Sequence, residues 1–457
     1  MTISADIFKA YDIRGIVGKT LTAEAVRAIG QALGTLALER GRDTFAIGRD
    51  GRLSGPELCG ALGEGIRAAG TNVIDIGLVT TPMSYFAGHE LGTQCSVAVT
   101  GSHNPPDYNG LKMVVASDTL SGDDIQALKR RIDAGDLRSG SGKYRSADIA
   151  PAYFKRIVGD VKLARPLKIA VDCGNGVAGA YAPELFRRLG CEVTELFCEV
   201  DGRFPNHHPD PSQPKNLQDL MNCLRTTDNE LGFAFDGDGD RLGVVTRDGH
   251  IIYPDRQLML FAADMLARNP GATVIYDVKS TRNLKPWIAA RSGVPMLWKT
   301  GHSLIKRKMK ESGAMLAGEM SGHTFFKERW YGFDDGLYAG ARLLEILARE
   351  SDPSATLAAL PDSVSTPEIN VACGNDSPHA LIERLAAKAQ FPGAADVIRI
   401  DGLRVEYGDG FGLARASNTT PVIVLRFEGE TRAALERIQG EFRHAFAATV
   451  PGLKLPI

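Results

Sequence analysis

One serine offers a hydroxyl in a setting where it could take part in chemistry. Ser102 stands in the run Ala98-Val-Thr-Gly-Ser-His-Asn-Pro105, where a short apolar stretch breaks into a turn of small residues. This pattern predicts a buried strand that ends near the serine, and open α/β sheets place their ligands at such strand ends. His103 follows directly, but neighbouring side chains do not usually point at one another, and a serine hydroxyl is a poor nucleophile without help. Taken alone, the segment is equally consistent with an ordinary turn.

Three aspartates form a second segment with a recognisable chemistry. Asp236, Asp238 and Asp240 alternate with glycines directly after an apolar run that predicts a strand. Carboxylates so spaced can converge on one cation, and Mg²⁺ commonly completes such a site with phosphate oxygens or water. The segment is not an EF-hand, because Arg241 and Arg247 stand where that loop requires glycine and glutamate. Without a cation the carboxylates would repel one another, so we predict a magnesium site; an aspartate nucleophile at Asp236, as in haloacid dehalogenases, stays an alternative.

A serine beside a metal predicts phosphoryl transfer, and two further loops have side chains suited to a phosphosugar. The run Arg415-Ala-Ser-Asn-Thr-Thr-Pro421 concentrates donors for a phosphate. The run Gly318-Glu-Met-Ser-Gly-His323 places a carboxylate, a hydroxyl and an imidazole at alternate positions, which an extended segment would turn to one side, toward sugar hydroxyls. Each run by itself is equally consistent with a polar turn. Lys112, Lys279 and His302 stand alone in polar surroundings, and individually we expect them at the surface.

The elements that must position these loops follow an α/β pattern. Helical and strand patterns alternate, as in the helix capped by Thr22 and the strand Ser96–Val99. The pattern restarts twice, so we predict three α/β units with largely parallel sheets, each sending a polar loop from a strand end. The tail differs: residues 363–369 read as a linker, and the remainder pairs strands with a terminal helix from Thr431, which predicts an α+β module.

Composition sets the broad class of protein. The chain has 457 residues, a hydrophobic fraction of 44% and a formal net charge of −2, which predicts several globular domains and no overall attraction to nucleic acid or anionic membranes. The seven cysteines are scattered without a CxxC pair, which argues against a zinc ribbon and fits a reducing compartment. The chain shows neither a signal-peptide pattern nor an apolar stretch long enough to cross a bilayer, so we expect a cytoplasmic protein.

Five motifs, in this order, are similar to those of the α-D-phosphohexomutase family. They are Tyr11-Asp-Ile-Arg-Gly15, Thr100-Gly-Ser-His-Asn-Pro105, Asp236-Gly-Asp-Gly-Asp-Arg241, Gly318-Glu-Met-Ser-Gly-His323 and Arg415-Ala-Ser-Asn-Thr419. The resemblance covers nearly the whole chain and is strongest to bacterial members that act on both glucose and mannose phosphates. It implies three related α/β domains and a fourth, mobile α+β domain around a central cleft. We place these domains at residues 1–147, 148–250, 251–362 and 363–457.

The resemblance also implies a role for each loop. Ser102 matches the serine that becomes phosphorylated, and Asp236, Asp238 and Asp240 match the ligands of one Mg²⁺, with a phosphoserine oxygen completing the site. The groups implied to assist phosphoryl and proton transfer are Arg14, His103, Lys112 and His302, with His302 or Lys112 as the general base. The groups implied to bind the substrate are Tyr11, Arg241, Lys279, Glu319, Ser321, His323, Arg415, Ser417, Asn418 and Thr419.

The implied activity is the interconversion of hexose 1-phosphate and hexose 6-phosphate. The phosphoserine donates to the substrate, the hexose 1,6-bisphosphate turns end for end in the cleft, and the other phosphoryl group returns to Ser102. Glucose 1,6-bisphosphate is the implied activator, and we expect a monomer that binds phosphosugars but neither nucleic acid nor membranes. A metal-dependent phosphohydrolase and a non-catalytic sugar-phosphate binding protein remain alternatives. Within the family, a phosphoglucosamine mutase is the nearest competitor, although its sugar loop usually has glutamine where this chain has Met320.

Overall fold

The computed structural model describes residues 3–374, 376–418 and 420–457. Its strands are Ile13–Ile16 (β1), Thr44–Arg49 (β2), Asn72–Leu78 (β3), Ser96–Val99 (β4), Tyr108–Val115 (β5), Asp118–Thr119 (β6), Tyr144–Ser146 (β7), Lys168–Asp172 (β8), Glu192–Leu196 (β9), Leu231–Phe235 (β10), Leu242–Thr246 (β11), Ile251–Ile252 (β12), Thr273–Asp277 (β13), Val294–Trp298 (β14), Leu316–Gly318 (β15), Thr324–Phe326 (β16), Val364–Ser365 (β17), Ile369–Ala372 (β18), Asp396–Ile398 (β19), Leu403–Tyr407 (β20), Gly410–Ala416 (β21) and Val422–Gly429 (β22).

The helices alternate with these strands over most of the chain. The α-helices are Ala23–Glu39 (α1), Gly55–Ala68 (α2), Thr81–Glu90 (α3), Asp123–Asp133 (α4), Ala150–Asp160 (α5), Ala182–Arg188 (α6), Gln218–Thr226 (α7), Pro254–Arg268 (α8), Leu284–Ala289 (α9), His302–Ser312 (α10), Gly336–Leu347 (α11), Pro353–Ala358 (α12), Pro378–Lys388 (α13) and Arg432–Thr449 (α14), with short 3-10 helices at Ala5–Ile7, Val177–Ala180 and Pro214–Leu217. Helix α1 begins as predicted, because the Thr22 hydroxyl accepts a hydrogen bond from the Ala25 N–H at 3.2 Å. None of the helices in the described ranges is long and apolar enough to cross a membrane.

The first three sheets repeat one arrangement. In each sheet a central strand has a parallel neighbour on either side: β2 lies between β3 and β4, β8 between β9 and β10, and β13 between β14 and β15. In each, a hairpin then adds an antiparallel strand: β5 beside β4, β11 beside β10, and β16 beside β15. This confirms three related α/β domains. The sheets are mixed rather than largely parallel, because each repeat ends in this antiparallel hairpin.

The recurring hairpin carries the polar loop of each domain. Ser102 lies in the connection from β4 to β5, the aspartates follow β10, and Glu319 follows β15. Each loop therefore leaves the carboxyl end of a strand that runs parallel to its central neighbour, which is the edge where α/β sheets bind ligands. The three loops occupy the same place in the three repeats. The equivalent edges of the three sheets can therefore face one cavity.

The fourth domain has a different architecture. Its sheet is antiparallel in the order β17-β22-β21-β20-β19, with β18 also paired to β22, and α13 and α14 pack against it. The predicted α+β module and its terminal helix are confirmed. The predicted linker over 363–369 contains regular structure, because β17 and the start of β18 pair with β22. These extended residues satisfy their backbone groups on the sheet edge instead of leaving them to solvent.

The hydrophobic cores show how the domains are joined. The first domain has a core between α1, α2 and its own sheet, and the fourth domain has a separate core around Phe442 and Leu425. The largest core runs continuously from Phe86 of α3 through Phe233 of the second sheet to Leu344 of α11. The first three domains are therefore packed together, whereas the fourth domain is packed mainly within itself. The domain boundaries stay predictions; β12, just beyond the predicted 250/251 boundary, pairs with β11 of the second sheet.

Candidate active site

A cavity of about 270 Å³ is lined by loops from all four domains. The predicted site residues that line it are Tyr11, Arg14, Ser102, His103, Lys112, Arg241, Lys279, His302, Glu319, Ser321, His323, Arg415, Ser417 and Asn418. Asp236, Asp238 and Asp240 lie beneath Ser102 and are fully buried. Thr419 lies outside the described residues. The structure thus brings together side chains that are up to 407 positions apart in the sequence.

Ser102 lines this cavity and is almost fully buried. Its hydroxyl donates to Asp236 Oδ2 at 3.0 Å and lies 3.1 Å from His103 Nδ1. The expectation that adjacent side chains point apart was wrong, because Ser102 has a φ of +50°, a left-handed conformation that a serine rarely adopts. This turn of the backbone directs both side chains to the same side. Burial, followed by the charge of Arg241, lowers the pKa of His103 well below its ordinary value, so its ring is neutral.

The acidic loop fits closely beneath the serine loop. A Cβ atom at Gly237 would lie 2.4 Å from the Ser102 carbonyl oxygen, so only glycine permits this approach. Thr81, at the start of α3, donates its hydroxyl to Asp238 Oδ2 at 2.5 Å and its N–H to the Asp238 carbonyl at 2.9 Å. The first domain therefore supports the acidic loop of the second from two sides.

Lys112 is the buried counterion of the aspartates. It lies on β5, only 3% exposed, with Nζ 2.8 Å from Asp238 Oδ2 and in contact with Asp240 Oδ2. The expectation that Lys112, Lys279 and His302 lie at the surface was wrong, since all three are buried. Lys112 is turned inward by β5, a strand that was not predicted. Burial opposes the charge, but Asp238 and Asp240 outweigh it and raise the pKa of Lys112. Burial likewise opposes ionisation of Asp238, and Lys112 lowers the pKa of that carboxyl.

The acidic loop is suited to a divalent cation. The carboxylates of Asp236, Asp238 and Asp240 offer ligand atoms within 4.8 Å of one another. Burial, together with the charges of the other two, raises the pKa of Asp236 well above its ordinary value. Within the described residues, Asp238 Oδ1 and Asp240 Oδ1 are buried without a hydrogen-bond partner. Buried oxygens without partners are costly, and hard oxygen ligands in such a group are what Mg²⁺ binds.

The third-domain loop is a hairpin turn rather than an extended segment. Glu319 donates its N–H to the His323 carbonyl at 2.9 Å, and Gly322 has a φ of +105°. The alternate side chains converge because of this turn, and not through strand periodicity as expected. Ser321 donates its hydroxyl to Glu319 Oε2 at 3.2 Å, and Glu319 Oε1 also accepts from the Gly301 N–H. Burial raises the pKa of Glu319.

Two histidines of the third domain stack beside the aspartates. His302 begins α10, and its ring lies 5.6 Å from that of His323. Asp334 Oδ2 lies 3.0 Å from His323 Nδ1, and Lys306 Nζ lies 2.9 Å from Asp334 Oδ1. Burial, reinforced by the charge of Lys306, lowers the pKa of His302 well below its ordinary value. Arg241 donates from Nε to His323 Nε2 at 3.1 Å and so joins the second and third domains.

The fourth-domain loop closes the opposite end of the cavity. Arg415 lies on β21, a strand that the sequence did not reveal, and its guanidinium pairs with Asp401 at 3.0 and 3.3 Å. Ser417 Oγ lies 2.9 Å from Thr420 Oγ1 in the connection to β22. Asn418 Nδ2 donates to the hydroxyl of Tyr11, and that hydroxyl donates to the Thr300 carbonyl at 2.8 Å. The first, third and fourth domains therefore meet at this hydroxyl.

Several cavity residues escaped sequence reasoning. They are Asp12, Asp210, Ser212, Gln213, Thr300, Glu368, Asn370 and Val424. Asp12 pairs with Arg14, and Glu368 lies 2.5 Å from Lys279 Nζ within the stretch predicted to be a linker. Asp12 stands inside the motif of residues 11–15 and could have been found there. The others are single residues in turns and strands, all polar except Val424, with no local pattern to distinguish them.

Comparison with known proteins identifies the family. Models of the four domains of phosphoglucomutase/phosphomannomutase match in order, at residues 5–139 (α/β/α domain I), 151–249 (domain II), 253–364 (domain III) and 368–445 (C-terminal domain). The fold and the cavity thus define a phosphohexomutase architecture. The chain belongs to the phosphoglucomutase/phosphomannomutase family.

Relatives of known name cover nearly the whole chain. A phosphoglucomutase of Neisseria gonorrhoeae is 60% identical over 97% of this chain and 97% of its own. A phosphomannomutase/phosphoglucomutase of Pseudomonas aeruginosa is 56% identical over 100% and 98%. A crystal structure of a phosphoglucomutase/phosphomannomutase family protein from Burkholderia thailandensis is 60% identical, covers 100% of both chains and superposes with a TM-score of 0.96.

Proposed function

We propose that this protein is a phosphohexose mutase that interconverts the 1-phosphates and 6-phosphates of glucose and mannose. A phosphorylated Ser102 donates its phosphoryl group, a hexose 1,6-bisphosphate reorients, and the serine is phosphorylated again. One observation carries the proposal: the Ser102 hydroxyl lies against Asp236 in a cavity whose other end is lined by Arg415. Family membership and the names of the relatives support the same reaction.

The charges that line the cavity suit a phosphosugar. Five cationic side chains face it, contributed by Arg14, Lys112, Arg241, Lys279 and Arg415. They come from all four domains, so positive charge is present at both ends of a substrate that carries one phosphate and receives another. Guanidinium groups bind phosphate oxygens in pairs, which gives orientation as well as attraction.

Each group near the serine has a distinct task. Lys112 remains protonated and offsets the charge of the transferring phosphoryl group, so of the two candidate bases it is unsuited to accept a proton. His302 is neutral and lines the cavity, so of the two it is the base that takes the proton of the attacking sugar hydroxyl. His103 Nδ1, 3.1 Å from Ser102 Oγ, can hold the serine proton when the phosphoryl group returns.

The sugar is recognised between the two phosphate positions. Glu319 and Ser321 present a carboxylate and a hydroxyl to vicinal sugar hydroxyls, and His323 lies behind them. Arg415, Ser417 and Asn418 bind the phosphate that is not transferred, together with Thr419 by the family pattern. Reorientation requires this second position to accept either end of the bisphosphate. Several donors on one short loop meet that requirement better than a single fixed pair.

The cation of this reaction is Mg²⁺, held by Asp236, Asp238 and Asp240 with Ser102. When bound, it supplies positive charge that stabilises the phosphoryl group during transfer. The two buried oxygens without partners, on Asp238 and Asp240, are the observation that supports this assignment over an acidic turn. Glucose 1,6-bisphosphate is the compound that restores the phosphoserine. We also expect a cytoplasmic monomer without nucleic-acid or membrane partners.

The test is ³¹P NMR of the purified protein with Mg²⁺, glucose 1-phosphate and a trace of glucose 1,6-bisphosphate, repeated with mannose 1-phosphate. Conversion to the 6-phosphate without inorganic phosphate is the expected result, and the two rates rank the sugars. Inorganic phosphate as the sole product would identify a hydrolase. No change with either sugar would contradict the proposal, and glucosamine 1-phosphate in a third tube distinguishes a phosphoglucosamine mutase.

A further inference from the structure

A buried arginine of the first domain contacts the serine loop from below. The Arg52 side chain is fully buried, and it lies outside the cavity that holds the substrate. Its Nη2 atom donates to the carbonyls of Ser102 at 2.8 Å and Asn104 at 2.6 Å. Its Nη1 atom donates to the carbonyls of Pro105 and Tyr108, the latter at 2.9 Å. One guanidinium therefore binds four carbonyls between Ser102 and the first residue of β5.

The serine loop needs this external donor. Pro105 and Pro106 have no N–H, so the turn after the serine lacks two of the backbone donors that could satisfy its own carbonyls. The contact is also close: a Cβ at Gly101 would lie 2.4 Å from Arg52 Cζ and Nε. A lysine at this place could not match four carbonyls, because an ammonium has three donors and no planar fork.

Asp50 completes the arrangement from the other side of the loop. Its Oδ2 accepts from Arg52 Nε at 3.3 Å, from the Thr100 hydroxyl at 2.7 Å and from the Gly101 N–H at 3.3 Å. Thr100 in turn accepts from the Ser102 N–H at 2.8 Å. Asp50 and Arg52 thus bind the backbone before and after Ser102. The φ of +50° at this serine is unfavourable unless such surroundings impose it.

The orientation of one peptide links this pair to the chemistry. In a planar trans peptide the C=O and N–H bonds lie in one plane and point in opposite directions. Because the Ser102 carbonyl points at Arg52, the N–H of His103 points away from it. We propose that Arg52, paired with Asp50, is a positioning residue for phosphoryl transfer, which directs Ser102 Oγ to Asp236 and the His103 N–H to the transferring group. This inference rests on the proposed function.

The test compares two buried arginines that bind backbone carbonyls. Arg256 on α8 donates to the carbonyls of Leu357, Ala358 and Leu360, but it lies outside the cavity and is the matched control. Arg52→Lys and Arg256→Lys are compared with the unchanged protein for kcat, KM, thermal unfolding and hydrogen exchange of residues 100–106. For Arg52→Lys we expect kcat to fall at least tenfold, KM to change less than twofold, and exchange in this segment to rise.

Arg256→Lys should lower the unfolding temperature similarly and leave kcat per folded molecule within twofold. Equal kcat for the two variants would overturn the inference. If Arg52→Lys does not fold, Asp50→Asn replaces it, with the same expectation for kcat and exchange. Turnover by the unchanged protein tests the proposed mutase separately. If the unchanged protein releases only inorganic phosphate, the rates of phosphate release by Arg52→Lys and by the unchanged protein are compared instead. A lower rate in the variant still shows that Arg52 positions the serine.

Discussion

The two ends of the active-site cavity are built differently. At the serine end, Ser102 and the three aspartates are buried, and three domains that share continuous packing hold them. At the other end, Ser417 and Asn418 are only partly buried, Thr420 is exposed, and the domain that carries them has a core of its own. The serine end therefore holds its side chains in one fixed arrangement. The second end offers several donors on a hairpin of the fourth domain, which we expect to move relative to the other three.

This difference matches the two demands of the reaction. Phosphoryl transfer depends on charges fixed before the reaction, because reorganising them would add to the barrier. Reorientation of a bisphosphate depends on a phosphate position that opens and closes again. Asn418 of the fourth domain reaches Tyr11 of the first through a side-chain hydrogen bond, and we expect this contact to break when the cavity opens. Changes at the serine end should therefore reduce kcat, and changes at the other end should raise KM.

The largest effect is expected from Ser102→Ala. Removal of the hydroxyl leaves no group to carry the phosphoryl, so kcat should fall by about 10⁴-fold or more. The fold should persist, because the change removes one hydroxyl from a site held by many other contacts. Turnover of glucose 1-phosphate is the measurement. Ser96→Ala, at a buried serine of β4 outside the cavity, is the control and should retain full activity. Turnover above a few per cent in Ser102→Ala would reject the phosphoserine.

The next effect is expected from Asp238→Asn. It removes a negative charge from the cation site and weakens the contact with Lys112, so kcat should fall by about 100-fold and the half-saturating Mg²⁺ concentration should rise at least about tenfold. Magnesium titration of the rate measures both. Asp172→Asn is the control: Asp172 is buried beside His207 at the end of β8, and its loss should leave the titration unchanged. An unchanged titration in Asp238→Asn would contradict the metal site.

At the opposite end, Arg415→Lys should act on binding. Lysine keeps the charge but loses the planar fork that binds a phosphate, so KM should rise by about tenfold while kcat stays within about threefold. Steady-state kinetics with glucose 1-phosphate separate the two constants. Arg437→Lys on α14 of the same domain is the control. A large loss of kcat with an unaltered KM would show that the two ends are not divided in this way.

The smallest effect is expected on the stability of the fold, from a change at Asp335. Asp335 caps α11, and burial raises its pKa from 3.8 to about 7. The folded state therefore holds a proton that the unfolded state releases above about pH 4, so this residue lowers stability progressively as the pH rises from 4 to 7. Asp335→Asn can still cap α11 and removes this dependence. Thermal unfolding should show the variant gaining a few degrees on the unchanged protein between pH 5 and pH 8.

Two results would contradict this prediction. One is a constant difference in unfolding temperature across the pH range, and the other is a gain that grows toward low pH. The kinetic constants test whether Asp335 acts only on stability, since this residue does not line the cavity. Both kcat and KM should be unchanged at pH 7 if the core behind the serine end only supports the fold.

Much of the architecture follows from local sequence. The helices after Thr22 and Thr431 each have an apolar period and a capping residue, and the strand before the aspartates is a short apolar run. The structure has all three. The polar loops at strand ends were likewise recognisable, because glycines and clustered polar residues interrupt apolar runs. These features depend on neighbours in the sequence, and so the sequence reveals them.

Other features exist only once distant strands pair. Lys112 and Arg415 lie on β5 and β21, which have no distinctive pattern. Carboxylates contributed elsewhere in the chain offset their buried charges. The convergence of Ser102 and His103 depends on a left-handed φ that the loop alone would not favour and that Asp50 and Arg52 hold in place. The residue types and their order thus determined the kind of chemistry. The tertiary structure decided which charges face one another, because electrostatic environment depends on distance in space and not on distance along the chain.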